Sequence, residues 1–173
     1  MKKLIVLFVF VLSGISMMAQ SGHCGIDATV ELGYNLATKS EATSFPSATG
    51  IFGKRFSQYF YAGAGAGVYM DKIDETSPET LVPIFADLRG YIPLVNTKIA
   101  PFIGLKGGYL INAVSANGSD AYIFQVTPGV QIPLSGVIDL NLAAGYEYWA
   151  HTQEGHSDYV VFRVSFGFHK KNK

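Results

Sequence analysis

The chain alternates. From Val160 onward every second side chain is apolar, with Val160, Phe162, Val164, Phe166 and Phe168 on one face. Tyr159, Val161, Arg163, Ser165 and Gly167 lie on the other. A two-residue period places successive side chains on opposite faces of a β-strand. The same reading holds in 138–148, where Ile138, Leu140, Leu142, Ala144, Tyr146 and Tyr148 oppose Asp139, Asn141, Ala143, Gly145 and Glu147. In 121–133, Tyr122, Phe124, Val126, Val130 and Ile132 oppose Gln125, Thr127, Gly129 and Gln131. In 98–112, Ile99, Ile103, Leu105 and Tyr109 oppose Ala100, Gly104, Lys106 and Gly108. In 80–92, Val82, Ile84, Ala86 and Leu88 oppose Asp87, Arg89 and Tyr91. A first strand over 26–37 sets Ala28, Val30, Leu32, Tyr34 and Leu36 against Thr29, Glu31, Gly33 and Asn35. Two strands resist phasing. In 48–56 either Phe52 and Phe56 or Ile51 can take the apolar side, and Lys54 or Arg55 can snorkel at the strand end. In 59–70 the run AGAGAGVYM is read with Ala62, Ala64, Ala66 and Val68 outward and Gly63, Gly65 and Gly67 inward.

Polar stretches near 38–47, 71–79, 113–120 and 151–157 read as long loops. Ser57-Gln58, the PLVNT stretch around 93–97 and PLSG at 133–136 read as short links. Long and short alternate along the chain, so all long loops fall on one side and all short turns, with both termini, on the other. That is the layout of an outer-membrane barrel with short periplasmic turns. The expected fold is all-β: an eight-stranded antiparallel up-and-down transmembrane barrel. No other window has the ~18 consecutive apolar residues of a spanning helix.

The first residues stand apart. Lys2 and Lys3 precede an unbroken apolar run, Leu4 to Leu12, and Ala19 offers a small residue before a cut. This is the three-part layout of a secretory signal peptide, and the run is shorter than the ~20 residues a helix needs to span a bilayer. The domain expectation is therefore a signal peptide at 1–19, a short segment at 20–25, a barrel over 26–168 and a basic tail at 169–173. Cys24, preceded by His23, reads as a free thiol near the new terminus.

Composition sharpens the picture. Of 173 residues only 15% are charged and 49% are apolar, with 19 glycines and 22 Tyr plus Phe. Soluble domains carry roughly 25% charged residues, so the outside of this protein is not expected to be fully wet. Thirteen basic side chains balance thirteen acidic ones, which argues against nucleic acid as a partner. One cysteine excludes an intrachain disulfide framework and a multi-cysteine zinc site.

A soluble sandwich or lipocalin-like barrel buries its apolar face; a membrane barrel turns it outward. Three features favour the membrane. The apolar faces are nearly free of charge. Aromatics such as Phe56, Tyr122, Tyr148 and Phe168 fall toward strand ends, where interfacial girdles form. The opposite face mixes both signs. Glu31, Asp87, Asp139 and Glu147 stand there with Arg89, Lys106 and Arg163, and with Gln125 and Gln131. These nine are the expected interior polar network.

With the signal end Ala19-Gln20, the segment AGAGAGVY, the paired turns YIPL and QIPL and the final FRVSFGF, residues 20–168 resemble the small outer-membrane barrels of the OmpA and OmpX type. The nearest resemblance is to exported versions from Bacteroidetes-like bacteria. It implies insertion in outer-membrane lipid of a Gram-negative cell. It also implies that the last strand, through Phe166 and Phe168, is the signal read by the barrel-assembly machinery. The tail from His169 to Lys173 departs from that pattern, in which the aromatic ends the chain.

Chemistry is sparse. Eight strands enclose a lumen that side chains can fill, so a general pore is not expected; a narrow ion path gated by the charges is the functional alternative. His151, Glu154, His156, Ser157 and Asp158 bring hydrolase ingredients to the last loop, but adjacent positions such as His156, Ser157 and Asp158 do not readily form a triad. The same residues could bind a metal, though a solvated loop explains them as well. Asn117-Gly118-Ser119 reads as a turn, and the acidic stretch Asp71, Asp74, Glu75 and Glu79 as a solvated loop. The leading expectation is a monomeric, non-enzymatic barrel with no metal and no cofactor, whose loops contact a ligand or host surface. The alternatives are an outer-membrane lipid hydrolase using the last loop and a soluble secreted ligand-binding barrel.

Overall fold

A computed structural model describes residues 25–39, 42–74, 77–94, 97–113, 120–152 and 155–169. The expected signal segment, Cys24, the Asn117–Ser119 turn, Glu154 and residues 170–173 lie outside the described residues, as do the side chains of 71–79.

Eight strands follow one another: β1 (Gly25–Ala37), β2 (Phe45–Arg55), β3 (Phe60–Asp74), β4 (Ser77–Tyr91), β5 (Ala100–Asn112), β6 (Ala121–Pro133), β7 (Ile138–His151) and β8 (His156–His169). Each pairs antiparallel with its chain neighbours, and β8 returns to β1, closing the barrel. The closing seam runs from Asp27↔His169 to Ala37↔Tyr159 without a slip. Closure satisfies the ladder groups of every strand and leaves no open edge.

Burial follows the two-residue period on every fully described strand. β8 reads exposed at Val160, Phe162, Val164, Phe166 and Phe168, and buried at Tyr159, Val161, Arg163, Ser165 and Gly167. The unphased strands resolve the same way. Phe52 points outward and is 64% exposed, whereas Ile51 is buried. Lys54 is outward and exposed, and Arg55 turns inward. On β3 the alanines 64 and 66 are exposed. The glycines face the lumen because nothing larger fits: a Cβ on Gly65 would stand 2.7 Å from the Phe85 ring.

The connections correct the sequence reading. The stretch 71–79 is not a long loop. β3 and β4 pair on through Asp71↔Glu79 and Asp74↔Ser77, with a register shift between Lys72 and Asp74. A ladder is held by backbone groups, so it can continue past the point where apolar side chains stop. The first loop shortens to 38–44 and the last to 152–155, while the 92–99 link on the terminus side is as long as 113–120. The alternation of long and short connections is therefore weak, and closure rests on the strand faces. β8 also runs one residue further than read. His169 pairs with Asp27, and its N–H donates to the Val137 carbonyl at 3.1 Å.

Candidate functional site

The chemistry-bearing side chains converge in the lumen, because the inward parity of all eight strands aims at one axis. Three levels stack along it.

At the loop end, Phe45, Tyr69, Trp149 and Tyr159 are each at most 2% exposed. The Phe45 ring lies 5.5 Å from Tyr69, 5.4 Å from Trp149 and 5.2 Å from Tyr159, and Trp149 lies 4.7 Å from Tyr159. Leu81, Leu110, Ile123 and Val161 pack around them. These separations suit offset and edge-on aromatic packing, and the level plugs the bore.

Below it Glu147, fully buried, collects four donors. Trp149 Nε1 donates at 2.6 Å, Asn35 Nδ2 at 3.1 Å, Arg163 Nη2 at 3.0 Å and the Tyr69 hydroxyl at 3.4 Å. Arg163 also donates to Asn35 Oδ1 at 2.6 Å and Gln125 Oε1 at 3.2 Å, and its Nε lies 3.5 Å from Glu31. It crosses directly over Gly33, where any Cβ would collide with the guanidinium. Glu31 is bonded by Lys106 Nζ and stands 4.0 Å from Arg89. Arg89 in turn donates twice to Asp87 Oδ2, at 3.0 and 2.6 Å. Glu31, Asp87 and Glu147 thus face Arg89, Lys106 and Arg163, three charges of each sign. All six are at most 5% exposed. In a lumen without bulk water such a balance is required, since an isolated buried charge is prohibitively costly.

Toward the termini a looser level follows. Arg55 meets Asp27 at 3.3 Å and donates to Gln131 at 3.3 Å; Gln131 donates to Asp139 at 2.7 Å; and His169 lies 3.4 Å from Asp139. The Arg55 guanidinium sits 4.5 Å over the Tyr91 ring. A cavity of about 10 Å³ lies in each of the two polar levels, room for about one water. Asp87 Oδ1 and Asn141 Oδ1, both bordering the upper cavity, have no protein hydrogen-bond partner.

All nine residues of the interior set lie in these two levels and are buried. Asp27, Asn35, Arg55, Tyr69, Trp149 and His169 join them without having been singled out. Asn35 and Trp149 share the inward parity of Glu31 and Glu147, a signal that was legible. Arg55 and His169 sit at strand ends, where parity alone does not separate a lumen residue from a snorkelling or tail residue. Phe166 and Phe168 are outward and 43% and 46% exposed.

The last-loop residues divide between faces. His151 Nε2 lies 3.0 Å from Ser157 Oγ at the barrel mouth. Asp158 points to the outer wall, where Tyr146 donates to it at 2.6 Å and Lys39 pairs with it at 3.1 Å. His156 is on that outer face as well, 2.6 Å from Lys39 Nζ and stacked on Tyr148. Asp158 is therefore turned away from the serine–histidine pair. Among the described residues no group of three His, Cys, Asp or Glu is placed to hold a metal.

This is the architecture of the small outer-membrane barrels, and solved structures say so directly. The barrel is similar to neisserial surface protein A (NspA), at 15% identity over 87% of this chain and 98% of that one, with a TM-score of 0.59. It is similar to the N-terminal β-barrel domain of Pseudomonas aeruginosa OprF, at 12% identity over 82% and 97%, TM-score 0.52. A de novo designed transmembrane β-barrel matches at 14% identity over 88% and 100%, TM-score 0.52. No protein-family model matches the sequence, and no curated protein does. At these identities the likeness fixes the fold and leaves the activity open.

Proposed function

We propose that the protein is an integral outer-membrane barrel without catalytic activity, shut by its own side chains, whose outward loops serve structural or adhesive contacts. One observation carries the reading. Among the described residues 28 large hydrophobic side chains are exposed while 18 polar or charged ones are buried. A soluble barrel has the reverse distribution, and exposed apolar patches of this extent mark a surface made for another apolar phase. The dimensions agree. β2, the shortest strand at 11 residues, rises about 36 Å at ~3.3 Å per residue, which covers roughly 25 Å of bilayer at a tilt of ~45°. Export through residues 1–19, and assembly through a last strand ending near Phe166 and Phe168, belong to the same proposal. So does monomeric insertion in outer-membrane lipid.

The lumen supports closure: an aromatic plug above, a neutralised charge cluster below, and cavities the size of a single water. The loops are left as the part that meets a ligand or a host surface. The test is a membrane fractionation of cells expressing the full chain, followed by denaturing gels of unheated and boiled samples. A heat-dependent shift confined to the outer-membrane fraction is expected. A detergent-free soluble product without a shift refutes the reading and favours a secreted barrel.

A further inference from the structure

The outer wall is not uniform. β7 and β8 present Leu142, Tyr146, Phe162, Val164 and Phe166. β2 and β3 present Ala48, Gly50, Ala62, Ala64 and Ala66, paired as Gly50↔Ala66 and Phe52↔Ala64. The difference leaves a shallow, wide-open groove lined by Ala28, Val30, Gly50, Phe52, Ala64 and Ala66. Its ridges are tall, with Val30 54% and Phe52 64% exposed. Its floor is backed from inside, where Phe85 packs against Gly65. The groove is therefore a shape built into the wall rather than a gap that side chains could close.

A charge stands at its foot. Lys54 follows Phe52 on the same outward face and pairs across the ladder with Ala62. Among the described strand residues that point outward at the terminus end of the wall, Lys54 is the charged one. Arg55, beside it, is committed to Asp27 in the lumen. The Lys54 ammonium lies 5.6 Å from the Phe56 ring, toward the end of the barrel, where a bilayer's headgroups would begin. From Lys54 to Ala48 the strand rises about 20 Å at ~3.3 Å per residue, enough for one acyl chain of a single leaflet of a ~30 Å hydrocarbon core.

The geometry points to a phospholipid site. One anionic phospholipid, from the leaflet on the terminus side, sets its phosphate on Lys54 and lays an acyl chain past the Phe52 ridge along Ala62, Ala64 and Ala66 to Gly50, where Val30 bounds it. This rests on the membrane reading above. The attraction of one lysine for an anionic lipid surface corresponds to about a fivefold preference over a zwitterionic lipid of the same chains.

The test uses the full chain, purified from membranes and reconstituted in bilayers of equal phosphatidylglycerol and phosphatidylcholine with identical acyl chains. Native mass spectrometry then counts the lipids retained. Wild type is expected to keep one lipid, enriched about fivefold in phosphatidylglycerol. Lys54→Gln is expected to keep a lipid without headgroup preference. Gly50→Leu fills the groove and is expected to lose the retained lipid; a Cβ there meets nothing within 4 Å, so the barrel itself is undisturbed. Gly107→Leu adds the same bulk to the same outer face on β5, again into open space, and is expected to behave as wild type. Unchanged selectivity in Lys54→Gln, or equal loss in Gly50→Leu and Gly107→Leu, overturns the site. A heat-shift gel on every sample separates the two readings. A chain that inserts and shifts but retains both lipids equally refutes the groove alone, whereas a chain that does not insert refutes the membrane assignment.

Discussion

The two upper levels of the lumen do the same job by opposite means. At the loop end, four rings and a collar of aliphatic side chains fill the bore. One level lower, six charges and their amide partners fill it. The aromatic plug depends on shape. Around Phe45 each ring loses contacts if a neighbour shrinks, and Trp149 and Tyr69 also donate to Glu147 below them. The charge cluster depends on pairing. Arg163 alone touches Glu147, Glu31, Asn35 and Gln125, so its removal takes the paired cation from buried Glu147 and the donor from Gln125 Oε1. The lesson is that packing fails gradually and a neutralised network fails abruptly.

That contrast can be broken most sharply at Arg163. Arg163→Ala is expected to destabilise the barrel by about 3–5 kcal/mol, the cost of leaving a buried charge unpaired, read as a lowered urea midpoint in lipid bilayers. The double variant Glu147→Gln with Arg163→Met should recover part of that loss, because both charges leave together. A double variant as unstable as the single one would mean that shape, not pairing, governs this level too.

Phe45→Ala attacks the plug. It removes a ring contacting Tyr69, Trp149 and Tyr159 and is expected to cost about 3 kcal/mol. Phe45→Leu should cost less than ~1.5 kcal/mol, since the volume is nearly kept. The same unfolding measurement checks both, and a Leu variant as damaged as the Ala variant would contradict a plug held by filling.

The terminus level should respond least. The His169 side chain is 31% exposed, so His169→Ala is expected to shift stability by no more than ~1 kcal/mol. Smaller still, Ser157→Ala should leave the acyl pattern of outer-membrane lipids unchanged by mass spectrometry, because Asp158 is engaged by Tyr146 and Lys39 on the outer wall. A changed pattern would revive the hydrolase reading around His151 and Ser157.

Much of this was legible along the chain, for a local reason. A strand's faces alternate with a period of two, so Glu31, Asp87, Lys106, Glu147 and Arg163 could be set on one side from sequence alone. The glycines of AGAGAG could be set inward for the same reason. Loop lengths were less legible. The polar stretch 71–79 looked like coil, yet backbone pairing carries β3 and β4 through it. Ends were least legible, because Arg55 and His169 lie where the apolar belt stops and a side chain can turn either way.

The sequence by itself determined the number of strands and, outside 48–56 and the strand ends, which face most residues take. Those are properties of neighbours in the chain and of a fixed backbone period. Only the tertiary structure decided which charges meet. Glu31 and Lys106 are 75 residues apart, and Asn35 and Arg163 are 128 apart. Their contact depends on the ladder registers around the closed ring, which sequence periodicity leaves open. The plug of Phe45, Tyr69, Trp149 and Tyr159 and the groove between Val30 and Phe52 arise in the same way. Each is a shape made by strands that become neighbours once the barrel has closed.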